Sequence, residues 1–146
     1  MAPTAVIFHL AFPVGDIPTA REFYVTGLGC EPGRETATSL ILNLYGHQLV
    51  AHTSTEITPQ RGIYPRHFGL IFRAEEDWQA LLQRAQDCRL RFYQAEKRRF
   101  PQTPLEHRTF FLEDPFYNLL EFKYYCSPSA IFGEAALALV GDSSAD

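Results

Sequence analysis

The sequence predicts an α+β domain built from two similar βαβββ modules that form a curved mixed sheet. Two observations indicate this: short apolar runs alternate with breakers, and the order strand, helix, three strands occurs twice. The length of 146 residues suits one domain with its own core. We expect a single domain at 1–126, with module one at about 5–53 and module two at about 66–126, followed by a C-terminal tail at 127–146.

The elements of module one follow from its breakers and periodicity. The run VIFHLAF (6–12) is typical of a strand because β-branched and aromatic residues dominate it, and Pro13 and Gly15 end it. Asp16 is placed to cap a helix over 16–29, whose apolar residues recur at helical spacing. Three further strands are expected in CEPGRET, TSLILNLYG and HQLVAHT, the last two forming a hairpin.

Module two repeats this order. Strands are predicted in RHFGLIF, RLRFYQA, HRTFFLED and NLLEFKYY, with an amphipathic helix in AEEDWQALLQRAQDC and a polar loop in EKRRFPQTPLE. HLAF at 9–12 matches HFGL at 67–70, which indicates a duplication. In the tail, we expect a short helix over Ala130–Val140 and fraying of residues 141–146.

The composition excludes several classes of function. The chain is 46% hydrophobic and 21% charged, as in soluble globular proteins, and its net charge of −4 with no basic stripe argues against nucleic acid as a partner. Its apolar stretches fall short of the ~20 residues that cross a bilayer, so we expect a cytoplasmic protein without membrane contact. The three cysteines form no CxxC, so we expect small buried residues and no disulfide framework or thiolate zinc site.

Three polar residues share the face of the predicted strands that is not needed to pack helices. The opposite face carries apolar residues two apart, namely Val6, Phe8, Leu10, Phe12, Phe68, Leu70, Phe72, Leu120, Phe122 and Tyr124. His9 and His67 occupy equivalent places in the two modules, and Glu121 lies in the last strand. A buried carboxylate needs compensation, and two imidazoles with one carboxylate form a metal site with open positions. The alternative is that each residue has a separate structural role.

The motifs resemble those of a known family. The duplicated plan, the His at each module start and the stretch DPFYNLLEF are similar to the vicinal oxygen chelate superfamily, which includes glyoxalase I, bleomycin-resistance proteins, fosfomycin-resistance enzymes and extradiol dioxygenases. The resemblance covers about 5–126 and looks strongest to small extradiol-dioxygenase-like proteins. It implies a dioxygenase-like oxidoreductase in which His9, His67 and Glu121 hold a divalent metal, most naturally Fe(II) or Mn(II), that binds a small-molecule substrate.

The repeat also indicates which residue of module one occupies the position equivalent to that of Glu121. Aligning GHQLV with YNLLE places Val50 at that position, so a four-ligand glyoxalase site is disfavoured. Gln48 and His52 share the parity of Val50 and are candidates to line the substrate cavity or to replace a ligand. The alternative for His52 is that it supports the metal ligands without binding the metal, or that it lies on the protein surface.

Two residues depart from the pattern that the resemblance implies. Tyr117 stands where members usually carry Gly, so that turn must change conformation or accept strain. Phe111 stands where ring-cleaving enzymes have a Tyr, and a phenyl ring cannot move a proton, which counts against catechol cleavage. His107 is the nearest candidate acid or base, the alternative being an exposed loop histidine; Phe111 and Tyr125 are candidates to line the substrate.

Two other functions stay open at this level. One is a thiol transferase of the fosfomycin-resistance type, for which the sequence reveals no K⁺ or phosphonate pocket. The other is a metal-free small-molecule-binding protein of the bleomycin-resistance type, against which the complete ligand set argues. We expect a homodimer, with the site either within one chain or shared between two.

Overall fold

The computed structural model describes residues 5–140, in which the strand order repeats as predicted; the expected fraying of 141–146 lies outside them. Module one contains β1 (His9–Val14), α1 (Ile17–Arg21), β2 (Glu31–Glu35), β3 (Ser39–Leu44) and β4 (His47–Thr53). Module two contains β5 (Phe68–Phe72), α2 (Glu75–Asp87), β6 (Phe92–Arg99), β7 (His107–Glu113) and β8 (Leu119–Tyr125). The predicted α+β class is confirmed.

Each module forms its own four-stranded mixed sheet, in the orders β1-β4-β3-β2 and β5-β8-β7-β6. The first and last strands of each module run parallel, and the other pairs are antiparallel. Ala11 lies opposite Val50 and Gly69 lies opposite Glu121. The registers therefore confirm that Val50 occupies in module one the place that Glu121 occupies in module two.

The first strand starts later than predicted and continues through its proline. Val6 and Phe8 are exposed, while Phe12 and Val14 face the core with the half-buried Leu10. The expectation that Val6 and Phe8 are buried is wrong, because the strand begins at His9 and both residues precede it. Pro13 fits within β1 because this strand lies at the sheet edge, where a missing N–H is tolerated.

Two other predictions are wrong in detail. The strand β6 includes residues 96–99, which were expected in a loop, because it is an edge strand whose outward side chains can be polar. The predicted helix over Ala130–Val140 is replaced by short 3₁₀ turns at Pro128–Ala130 and Ala135–Leu137, since the left-handed backbone of Glu134 and Ala138 interrupts it.

The helix of module one is capped as predicted. The carboxylate of Asp16 accepts a hydrogen bond from the Thr19 N–H at 2.7 Å. After the α-helical turn, the chain continues in a wider π-helical turn over Glu22–Gly27. Among residues 5–140, no helix is long and apolar enough to cross a bilayer. All three cysteines are free; Cys30 is buried as expected, whereas Cys88 and Cys126 are exposed.

The two modules share one hydrophobic core. Trp78 of α2 is fully buried and donates from Nε1 to the Phe122 carbonyl at 2.8 Å. Across the modules, the Tyr24 hydroxyl donates to the Asp114 carboxylate at 2.6 Å, and the Phe12 and Phe68 rings lie 5.5 Å apart. The helix-bearing side of each sheet therefore faces this core, and the other side of each sheet faces away from it.

Candidate metal centre

His67 and Glu121 meet on the side of the second sheet that faces away from the core. Nε2 of His67 lies 3.1 Å from Oε1 of Glu121, and Glu121 is buried at 5% exposure. Nδ1 of His67 donates to the Ile63 carbonyl at 2.7 Å. Because a carbonyl can only accept, the ring carries a hydrogen on Nδ1; in the protonated ring Nε2–H donates to the carboxylate, and in the neutral ring Nε2 presents a lone pair to it.

The surroundings keep Glu121 ionised. The Thr109 hydroxyl donates to Oε2 at 2.6 Å, and the Lys123 ammonium lies 3.8 Å from Oε1. Burial raises the pKa of Glu121, but the His67 hydrogen bond, the Lys123 charge and the Thr109 hydroxyl outweigh it and lower this pKa overall. The same hydrogen bond with Glu121 raises the pKa of His67 against the opposing effect of burial.

This pair fits a divalent cation. A neutral imidazole nitrogen and a carboxylate oxygen are both acceptors, so they approach each other only with a proton or a cation between them. A backbone carbonyl on the far ring nitrogen is the usual support of a metal-binding histidine, because it fixes the tautomer and orients the ring. Within residues 5–140, however, no three His, Cys, Asp or Glu side chains lie close enough together to hold a metal.

His9 lies apart from the pair. It is exposed on β1, and its Nδ1 lies 2.8 Å from Oε1 of Gln48. Since the helix-bearing sides of both sheets face the shared core, the sides carrying His9 and Glu121 point away from each other. One chain therefore does not bring the three predicted ligands together.

The other candidate residues divide between the two sheets. Phe111 is fully buried beside the metal pair, with its ring 5.1 Å from that of His67. His52 is exposed on β4 of the first sheet. His107 lies opposite Tyr125, and Phe111 lies opposite Glu121, so His107 is roughly 13 Å along the strands from the carboxylate. His107 is also buried in β7, so the alternative of an exposed loop histidine is wrong.

Three supporting groups were missed by the sequence reasoning. Lys123 was detectable, because it follows Glu121 by two strand positions and shares its face. Thr109 was detectable once the β7–β8 register was known, as it lies opposite Lys123. The carbonyl of Ile63 had no sequence signal, since it lies in an irregular segment between the modules.

Comparison with known proteins identifies the family. The family model described as Glyoxalase/Bleomycin resistance protein/Dioxygenase superfamily matches residues 6–122. The chain belongs to this superfamily. The predicted resemblance to the vicinal oxygen chelate superfamily is thereby confirmed. No curated protein matches the chain.

Solved structures of the superfamily share this fold. A glyoxalase/bleomycin resistance protein/dioxygenase from Alicyclobacillus acidocaldarius is 41% identical, with a TM-score of 0.85 over 90% of this chain and 100% of that one. The fosfomycin resistance protein FosX from Listeria monocytogenes is 13% identical, with a TM-score of 0.68 over 88% and 99% of the two chains. Lactoylglutathione lyase from Agrobacterium tumefaciens is 15% identical, with a TM-score of 0.64 over 90% and 99%. The last two show the fold alone.

Proposed function

We propose that the protein is a metal-dependent, dioxygenase-like oxidoreductase that binds a small substrate through two neighbouring oxygen atoms. The observation that supports this is the paired acceptors, Nε2 of His67 and Oε1 of Glu121, at 3.1 Å. Members of the superfamily often use a divalent metal and bind small molecules. Fe(II) or Mn(II) suits two imidazoles and one carboxylate.

The third ligand in this proposal is His9 of the partner subunit in a homodimer. His9 is exposed on the outward side of its sheet. The residues just before it form an exposed apolar strip, with Val6, Ile7 and Phe8 exposed at 75%, 68% and 59%. Such a strip at a sheet edge is typical of a protein–protein contact.

Each residue of the centre has a distinct role. His67, Glu121 and His9 of the partner subunit would hold the metal, which would supply a Lewis acid and an oxygen-activating centre for the substrate. Thr109 holds Oε2 of Glu121 and leaves Oε1 directed at His67. The phenyl ring of Phe111 packs edge-on to His67 and excludes water from that side, but it carries no proton.

Metal content tests the centre. Protein purified without chelators should contain iron or manganese, and both His67→Ala and Glu121→Gln should lose it while remaining folded by circular dichroism. Glu31→Gln is the matched control for Glu121→Gln, because Glu31 is an exposed carboxylate on β2, at the opposite edge of the first sheet from His9. Unchanged metal content in both site variants would refute the centre, and native protein that contains no metal would favour the metal-free binding function.

Substrate turnover tests the reaction type. Oxygen uptake with a panel of small molecules that carry two neighbouring oxygen atoms, catechols among them, should be detectable with the metal-loaded protein and absent in Glu121→Gln. Thiol consumption with epoxides should be absent. The opposite result, thiol consumption without oxygen uptake, would replace the dioxygenase-like activity by thiol transfer.

Mixed dimers test the shared site. Chains carrying His9→Ala and Glu121→Gln should each form homodimers that bind no metal. In the mixed dimer, one site receives native His9 from one chain and native His67 and Glu121 from the other, so it should bind about one ion. A mixed dimer without metal, or a chain that stays monomeric at 16.6 kDa in light scattering, would overturn the shared site.

A further inference from the structure

A cavity lies on the outward side of the second sheet, towards the end of the sheet that carries His107 and Tyr125. Its volume is about 400 Å³, and residues 130–140 of the C-terminal segment cover it. The walls are mostly apolar, including Ile71, Leu105 and Leu139, and its polar side chains include His107, Lys123 and Tyr125. An apolar cavity of this volume with a few converging polar groups is typical of a small-molecule site.

His107 carries a buried acceptor in the wall of this cavity. The side chain is 2% exposed, and its Nδ1 donates to the Leu105 carbonyl at 2.9 Å. Burial lowers the pKa of His107, and the charges of Lys123 and Arg99 add to this effect, so the neutral ring has its lone pair on Nε2. Among residues 5–140, Nε2 has no hydrogen-bond partner. An unpaired buried acceptor is costly, so the atom is suited to a donor from a ligand.

We propose that this cavity binds a phenol, a small aromatic ring with one hydroxyl group that donates its hydrogen to Nε2 of His107. The rings of Phe100 and Tyr125 flank the imidazole at 6.0 and 4.7 Å and provide an aromatic environment next to it. The Lys123 ammonium, on the cavity wall, stabilises partial negative charge on the hydroxyl oxygen. A phenolic O–H is also a stronger donor than an aliphatic one.

The site shares one residue with the surroundings of the proposed metal centre, because Lys123 lines the cavity and its ammonium lies 3.8 Å from Oε1 of Glu121. His107 lies roughly 13 Å along the strands from Glu121, and the cavity lining includes neither His67 nor Glu121. Phenol binding is therefore expected in protein with and without metal. Loss of the metal centre would leave this proposal standing.

Calorimetric titration with phenol and with anisole tests the hydrogen bond, because anisole has the same ring but no donor. The full-length protein, as purified and after chelator treatment, should bind phenol about tenfold more tightly than anisole. In ¹⁵N-histidine NMR of the chelator-treated protein, phenol should shift the Nε2 signal of His107 and anisole should not. Equal affinities, or a shift confined to other histidines, would overturn the proposal.

Substitutions test the hydrogen-bond acceptor and the volume of the cavity separately. His107→Phe keeps an aromatic ring and removes the acceptor, so the preference for phenol should disappear while metal content stays unchanged. His52→Phe, the same substitution at an exposed histidine, should retain the preference. Leu139→Trp fills the cavity from the C-terminal segment and leaves the sequence of β7 unchanged, so it should weaken phenol binding about tenfold. Unchanged phenol affinity in Leu139→Trp would refute the site even if His107→Phe fails to fold.

Discussion

The two modules share a backbone plan but differ in the electrostatics of equivalent positions. In module two, His67 meets the buried carboxylate of Glu121, which Thr109 supports. In module one, Val50 stands in place of Glu121, and the exposed His9 contacts the uncharged Gln48 instead. The carboxylate of the candidate site therefore lies in module two, whereas module one presents the imidazole of His9 on an accessible surface.

The largest expected change in stability tests the close approach of strand β5 to strand β8 at Gly69. A Cβ added to Gly69 would overlap the carbonyl oxygen of Glu121, and backbone cannot move aside as a flexible side chain can. Gly69→Ala should lower the free energy of unfolding by more than about 3 kcal/mol in urea titrations. Ala11→Gly, at the equivalent position of module one, should cost only about 1 kcal/mol. Similar losses of unfolding free energy in the two variants would contradict the prediction that a side chain fits between β1 and β4 but not between β5 and β8.

The next effect compares the two turns that precede the last strands. Asp114 accepts hydrogen bonds from the Tyr24 hydroxyl, from the Asn118 side chain and from two backbone N–H groups of its turn. Asp114→Ala leaves these donors unpaired and should destabilise the protein by about 3 kcal/mol. In the module-one turn, Asn43 accepts one exposed bond from the Gly46 N–H, so Asn43→Ala should cost about 1 kcal/mol.

Converting module one toward module two should strengthen metal binding. Val50→Glu places a carboxylate at the position equivalent to Glu121, on the side of the sheet that carries His9. If the ligands meet across a dimer, manganese affinity should rise about tenfold by competition with a chelator. Val50→Gln has the same length without the charge and should bind manganese like the native protein. Equal manganese affinity in the native protein and both variants would contradict the prediction that module one of one subunit faces module two of its partner.

The charged pair of module two should make the stability of the metal-free protein depend on pH. The Glu121 hydrogen bond raises the pKa of His67, so its stabilisation is complete below the ordinary value of 6.5 and is lost as pH rises through the folded-state pKa. Glu121 has a lowered pKa, so its stabilisation is present above the ordinary value of 4.5 and is lost in acid. Urea midpoints of chelator-treated protein should therefore be higher at about pH 6 than at about pH 8.5.

Glu121→Gln provides the control for this pH dependence, because it removes the carboxylate and keeps the side-chain length. Its urea midpoint should change less between the two pH values than that of the native protein. A native midpoint that rises above neutral pH would show that proton release from His67 does not weaken the fold.

The smallest effect concerns backbone strain. Tyr117 has a φ of +67°, in the left-handed region that the sequence comparison expected a glycine to occupy. Tyr117→Gly should raise the free energy of unfolding by about 0.5 kcal/mol, because relief of strain slightly exceeds the entropy cost of glycine. Gly46 in the module-one turn has a φ of +89°, so Gly46→Ala should destabilise by about 1 kcal/mol. Both are measurable by thermal unfolding.

Much of the fold was predictable because strong periodicity coincided with burial. Strands β7 and β8 and helix α2 carry apolar faces that fill the core, and their patterns were clear. The run before His9 has the composition of a buried strand, but Val6, Ile7 and Phe8 are exposed, so the composition gave the wrong prediction. The reverse error occurred at β6: its polar residues 96–99 have the composition of a loop but form part of an edge strand, which needs few apolar side chains.

The candidate site was predictable within a sheet but not between sheets. Parity placed His67 and Glu121 on one side of the second sheet, and the structure brings them to 3.1 Å. Parity also assigned His9 to the same side of its own sheet, but it carries no information about which sheets face each other. That depends on the core packing around residues such as Tyr24 and Phe12, which the pattern of one strand does not specify.

The bond from Tyr24 to Asp114 and the bond from Asn118 to the Pro13 carbonyl both cross between the halves of the chain. Either half of the chain by itself lacks one partner of each bond, and its side of the shared core would be open to solvent. Expressed separately, the halves should remain unfolded alone and regain structure when combined.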